Sequence, residues 1–382
     1  MEPPAFGVYV HVPFCASRCD YCDFATWTDR AHLVDAYVDA CVRDLEARRR
    51  DTGGLPPATS VFFGGGTPSL IAAAQLVRVL DAIDRTETAE VTVECNPDAV
   101  DDGKLRSYAA AGVNRLSFGV QSMVPRVLTA LGRTHDPQNV ARAIALARDA
   151  GFTRINVDLI YGTPGETLDD WRRSLDGPLT LGVDHVSAYA LTVEPATALG
   201  RRVAAGAPAP DDDLQADAYA LTDAVLGAAG LEWYEISNWA RPGEACRHNE
   251  LYWTGDEYVG IGCAAHGYTR GRRWWNVRTP ERYIAAIDAG APAEAGSEEL
   301  DAGRRAEEAF SLALRTRAGA PLAAAARATA GELAALDLLS IEDGRAVLTL
   351  RGRLLASDVT ARLLLAGAAA GSSPQPAGTR YH

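Results

Sequence analysis

What the chain lacks narrows its class first. No stretch approaches the ~20 uninterrupted apolar residues that a membrane-spanning helix needs, so no transmembrane segment is expected. Met1 to Gly7 has neither a basic region nor an apolar core, and no secretory leader is expected there. Positive charge is in deficit: 37 Lys and Arg stand against 50 Asp and Glu, a net charge of −13, which argues against a nucleic-acid partner. No solenoid repeat recurs. Apolar residues make up 47% and charged residues 23%, an ordinary globular composition, neither disordered nor fibrous. The 382 residues suffice for about two domains, or one large α/β domain with an appendage. Seven cysteines are present, three of them crowded into positions 15–22. In a cytoplasmic protein, the location expected here, such a cluster marks a metal or catalytic site more often than a disulfide framework.

Strand and helix patterns alternate along the first 230 residues. Val8–Val12, Ser60–Phe63, Val91–Glu94, Arg115–Val120, Ile155–Tyr161 and His185–Leu191 read as strands. Amphipathic helical patterns separate them, and Gly64-Gly65-Gly66 stops the second strand. This repetition predicts parallel pairing with helical crossovers. Six units are too few to close an eight-fold barrel, so an open, partial (β/α)6 barrel is expected. The unusual residues favour it over a doubly wound sheet. Cys15/Cys19/Cys22, Gly64–Thr67, Glu94, Gln121, Asp158 and Tyr189/Ala190 fall at or just past successive strand ends, the rim where barrels build chemistry. From 231 to 300 the alternation lapses into an aromatic-rich segment. Residues 301–365 read as a small helical, winged-helix-like domain with a hairpin turn at Asp343-Gly344. Residues 366–382, rich in Ala, Gly, Ser and Pro, read as a disordered tail.

Cys15, Cys19 and Cys22 form a CxxxCxxC spacing on the loop after the first strand. An iron–sulfur cluster ordinarily takes four cysteines, so three leave one iron open to an external ligand. A structural zinc site is the rival, and it wants a closed set of four ligands. Tyr9-Val10-His11-Val12-Pro13-Phe14-Cys15, with Cys19, Tyr21 and Cys22, resembles the opening motif of radical S-adenosylmethionine (SAM) proteins of the coproporphyrinogen-oxidase-like branch. The likeness continues through Gly64–Pro68, Glu94–Pro97, Gly119–Ser122, Gly132-Arg133, Asp158–Gly162 and Tyr189-Ala190, over about residues 8–315. It implies a [4Fe–4S] cluster on Cys15, Cys19 and Cys22. It also implies SAM contacts from Tyr9, Tyr21, Gly65, Gly66, Thr67, Glu94, Gln121, Arg133, Asp158 and Ala190.

Within this branch two expectations differ in kind: an oxygen-independent coproporphyrinogen III oxidase, which decarboxylates, and a haem chaperone, which binds haem and passes it on. The oxidases typically carry another cysteine two positions after the third, where this chain has Phe24, and an N-terminal extension before the first strand, which is expected here at about Val8. His248-Asn249-Glu250-Leu251-Tyr252-Trp253 matches the HNxxYW pattern associated with haem binding, and Tyr258–Gly267 also resembles the chaperones. The resemblance therefore implies a haem chaperone with His248 toward haem. The partners it implies are haem, a haem-accepting protein such as a respiratory haem protein, and a second copy of the chain. Arg247, Arg270, Arg272 and Arg273 stand as secondary candidates for the propionates, and Cys246 as a lesser ligand than His248. A radical-SAM RNA modifier is disfavoured by the acidic balance.

Overall fold

The computed structural model describes residues 4–51 and 54–369. The chain runs β1 (Phe6–Val12), α1 (Val34–Asp51), β2 (Ala58–Gly65), α2 (Ala73–Asp81), β3 (Arg85–Cys95), α3 (Asp102–Ala110), β4 (Arg115–Gln121), α4 (Pro125–Ala130), α5 (Gln138–Asp149), β5 (Arg154–Tyr161), α6 (Leu168–Thr180), β6 (His185–Ala190), α7 (Ala198–Ala204) and α8 (Asp212–Ala228). The six strands pair in sequence order and all in parallel, as expected of a partial barrel.

The strands are buried on both faces, yet the two faces differ in chemistry. Val8 and Val10, Val61 and Phe63, Val91 and Val93, Leu116 and Phe118, Val157 and Leu159 point to the helices and are 2% exposed or less. Each contributes about 1.5–3 kcal/mol of apolar burial. The intervening positions point into the lumen and are mostly polar: Ser60, Thr92 and Glu94, Arg115 and Ser117, Asn156 and Asp158, His185 and Ser187. The period of two puts one set on each face.

Residues 232–299 continue this sheet at both edges. The elements are β7 (Glu232–Glu235), β8 (Asn238–Ala240), α9 (Arg247–Thr254), β9 (Glu257–Ile261), β10 (His266–Thr269), β11 (Arg272–Asn276), α10 (Pro280–Asp288) and β12 (Glu294–Glu299). The result is one twelve-stranded sheet, ordered β12-β11-β10-β9-β1-β2-β3-β4-β5-β6-β8-β7. β9 joins β1 in parallel, and the outer strands are antiparallel.

The C-terminal part comprises α11 (Ala302–Leu314), β13 (Ala320–Pro321), α12 (Arg327–Ala335), β14 (Leu339–Glu342), β15 (Arg345–Leu348), α13 (Leu350–Leu354) and α14 (Ala356–Leu365). It has its own apolar cluster, including Phe310, Leu314, Leu333, Leu348, Val359 and Leu363. The β14–β15 hairpin turns at Asp343 and Gly344, both at positive φ (47° and 78°), as a two-residue hairpin loop requires. The Arg315 guanidinium donates to the buried Glu235 carboxylate of β7 at 2.7 and 3.0 Å, and Arg353 donates to Asp223 of α8 at 2.8 Å; these pairs bind the C-terminal part to the sheet edge and to α8. Ala368 and Ala369, placed in the tail by sequence, are 5% exposed and pack on this cluster. The rest of the expected tail, from residue 370, lies outside the described residues.

Candidate functional site

The loop after β1 carries the three clustered cysteines and is pinned along its length. Cys15 N–H donates to Trp27 O (3.0 Å), Trp27 N–H to Pro13 O (2.8 Å) and Asp20 N–H to Leu131 O (3.1 Å). His11 holds it from below. Its Nε2–H donates to Ala25 O (2.9 Å), so Nδ1 is left to accept from the Tyr9 hydroxyl (3.1 Å). Burial lowers the His11 pKa to about 4 and keeps the ring neutral.

The glycine run after β2 lies against the same loop. Gly66 N–H donates to Val12 O (2.8 Å) and Thr67 N–H to Phe14 O (2.9 Å). A Cβ on Gly66 would sit 2.7 Å from Val12 O, and one on Gly65 would sit 2.4 Å from the His11 ring. Gly65 is also at φ +106°, so only glycine serves there.

Cys15, Cys19 and Cys22 are partly exposed, whereas Cys41, Cys95, Cys246 and Cys263 are buried. Thr67 Oγ1 lies 3.6 Å from Cys15 Sγ, and Arg133 Nη1 lies 3.6 Å from Cys19 Sγ. Burial pushes the Cys15 and Cys22 thiols up, and the neighbouring sulfurs push the same way. Three mutually repelling sulfurs beside an arginine suit a cationic iron centre that takes them as thiolates. Among the described residues no group of three or more Cys, His, Asp or Glu closes on a single ion. A cubane binds each thiolate through a different iron and needs no such closure. The three thiols therefore fit a [4Fe–4S] cluster.

Behind the loop, the remaining SAM candidates divide into two groups. Gly65, Gly66, Thr67, Gln121, Arg133 and Ala190 stand on the rim or the loops that follow it; Gln121 is held at φ 65°, in the left-handed region. Arg133 Nη2–H donates to Gly119 O at 2.6 Å. Tyr21 packs by the side of the loop against the Val127, Leu131 and Leu199 cluster. Tyr9, Glu94 and Asp158 point lower, into a cavity of about 160 Å³. Glu94 accepts from Gly65 N–H (3.1 Å), while Asp158 accepts from Ser117 Oγ (2.7 Å) and Asn156 Nδ2 (2.9 Å). Burial, reinforced by the Asp158 charge, raises the Glu94 pKa to about 8, and burial raises that of Asp158 as well. An ammonium group at this place would relieve both.

The floor of the cavity is α9. Arg247 N–H donates to Glu90 Oε1 (2.8 Å), and its guanidinium donates to Thr88 O (3.0 Å). His248 is 1% exposed. Its Nδ1 is 2.9 Å from Ser60 Oγ and its Nε2 3.0 Å from the Tyr252 hydroxyl, and the ring stacks on Phe62 at 5.3 Å. Burial lowers its pKa to about 3. Both ring nitrogens are thus engaged inside the barrel, at the end away from the cysteines. Arg272 pairs with Glu294, and Arg273 with Glu298 and Glu308.

Sequence reasoning passed over Arg115, Asn156 and His185, which line the same cavity. His185 Nδ1 donates to Asn156 Oδ1 (2.5 Å), and its Nε2 accepts from the Tyr234 hydroxyl (2.8 Å). The available signal was polarity at alternate positions in strands otherwise fully apolar.

An open parallel barrel with three thiols over its mouth defines a radical SAM protein, and the family model described as Radical SAM superfamily matches residues 9–176. A solved structure from Escherichia coli, titled as coproporphyrinogen III oxidase (HemN), a radical SAM enzyme, is similar at TM-score 0.81 and 22% identity, covering 94% of this chain and 90% of that one. That likeness shows the fold. The heme chaperone HemW of Mycobacterium tuberculosis is 47% identical over 375 residues, 95% of this chain and 96% of that protein. The heme chaperone HemW of Bacillus subtilis is 36% identical over 82% of this chain and 84% of its own length. The chain belongs to the HemW family of radical SAM proteins, whose superfamily implies a [4Fe–4S] cluster and SAM. No helix among the described residues is long and apolar enough to cross a membrane.

Proposed function

We propose that this chain is a cytoplasmic haem chaperone: it binds haem and delivers it to proteins that require it. Cys15, Cys19 and Cys22 hold the cluster, and the rim and upper lumen hold SAM. When bound, the cluster supplies one-electron chemistry and an open iron for the amino and carboxylate groups of SAM. The chain's own part is positional. His11 and the glycine run fix the loop, and Arg133 faces Cys19. Glu94 and Asp158 wait below for a cationic group.

The observation that carries the chaperone reading is the 47% identity to a heme chaperone along nearly the whole chain. Phe24 supports it: the position where the oxidases bear a further cysteine is a phenylalanine 64% exposed beside the cluster loop. Seven free cysteines among the described residues suit a reducing compartment.

Anaerobic reconstitution is expected to load about four irons per chain. Alanine at Cys15, Cys19 and Cys22 together should abolish the cluster absorption. The loaded protein should bind haem and transfer it to an apo haem protein. Efficient decarboxylation of coproporphyrinogen III with SAM and a reductant would overturn the reading in favour of the oxidase.

A further inference from the structure

His266 is the one motif histidine that neither the barrel site nor its floor uses. It opens β10 and pairs across the sheet with Trp275 of β11. Its side chain is exposed, and neither ring nitrogen has a hydrogen-bond partner among the described residues. The other histidine of the chaperone-like segment, His248, is the reverse case: enclosed, with both nitrogens engaged.

The register places the His266 ring on the concave side. Tyr9, which faces the cavity, pairs with Gly260, so Tyr258 shares its face. Tyr258 pairs with Tyr268, and His266 lies two residues before Tyr268 on the same strand. The concave face therefore extends past β1 as His266, Tyr258, Tyr268 and Trp275, all at least partly open. The His266 and Trp275 rings lie 6.1 Å apart and 30° from parallel. Trp275 is accommodated by Gly296 of β12, where a Cβ would come within 2.6 Å of the indole. His266 is also close enough to His11, beneath the cluster loop, to disfavour a second positive charge there. Partial desolvation on the sheet and the nearby Arg273 lower the His266 pKa, which leaves a lone pair for a metal at neutral pH.

An accessible neutral imidazole beside flat aromatic surface is what an iron porphyrin requires: an axial nitrogen and a face to stack on. We propose that His266 ligates the haem iron on this extension of the concave face, with Trp275 packing against the porphyrin, while His248 stays in the barrel floor. This rests on the haem-chaperone reading and names its ligand.

The test is a titration of the full, cluster-loaded chain with ferric haem, read by the Soret band and by spin state in electron paramagnetic resonance. His266→Ala should weaken binding about tenfold or more and change the spin-state signature. Free imidazole added to that variant should restore the signature. Trp275→Leu should weaken binding and keep the signature. His32→Ala, at an exposed histidine elsewhere, and His248→Gln should leave the signature as in the unaltered chain. A His266→Ala spectrum and affinity identical to the unaltered chain, or a signature lost with His248→Gln instead, would overturn the assignment and leave the chaperone reading intact. An unaltered chain that binds no haem at all would overturn both.

Discussion

The two ends of the barrel lumen are built on opposite rules. At the mouth, three cysteines, Gln121 and Ala190 keep exposure, and Gly65 and Gln121 hold left-handed backbone. At the floor, α9 is bonded to β2 and β3, and His248 is packed between Ser60, Phe62 and Tyr252. Left-handed backbone and partly exposed side chains collect where a ligand must approach, and at the floor both ring nitrogens of His248 are bonded where the fold must close. A motif at the floor whose polar atoms are bonded to the protein would have to give up those bonds to take a ligand.

The sharpest way to break this contrast is to exchange the treatment of the two ends. His248→Ala empties a buried site and strands Ser60 and Tyr252, so urea unfolding should show a loss of roughly 2–4 kcal/mol. The Cys15/Cys19/Cys22 triple alanine variant, compared as apoprotein, should change stability by less than about 1 kcal/mol while losing all iron.

Acid sharpens the same point. The His248 pKa in the folded chain is about 3 against 6.5 for the free side chain, so its contribution is present above pH 6.5 and lost as pH falls toward 3. Between pH 7 and pH 5 this one imidazole should cost about 2 kcal/mol, and His248→Gln should lose correspondingly less stability over that interval.

Next in size is Gly65→Ala. Its φ of +106° and its approach to His11 predict a cost of about 1–2 kcal/mol, with SAM affinity falling in equilibrium binding. Smallest is the exposed Arg172–Asp176 pair on α6, far from either end; Asp176→Ala should shift the unfolding midpoint by less than about 0.5 kcal/mol equivalent.

The six parallel strands were legible because each carries a local apolar pattern bounded by glycine or a helix start. The rim residues were legible because resemblance and strand ends coincide. The sheet's extension was not. β7 to β12 are short, and β9 and β10 hold Gly260 and Gly267, whose lack of a side chain only makes sense once His266 and Trp274 are seen packed against them. The setting of His248 was equally hidden, since its partners Ser60 and Phe62 lie nearly 190 positions earlier in the chain, and its second hydrogen bond, to Tyr252, reads as one helical turn of any sequence. The lumen's polar lining was written in the alternation of Arg115 with Leu116 and of Asn156 with Val157, but only the assembled sheet tells which face is inside.

β1 lies between two parallel neighbours, β2 and β9, although β9 is encoded some 250 residues later. During synthesis the strand that leads into the cysteine loop is therefore an open edge until Ile261 has left the ribosome. A sheet complete on both sides of β1 exists only after that residue, and a chain released before it presents an unfinished edge open to pairing with other nascent chains.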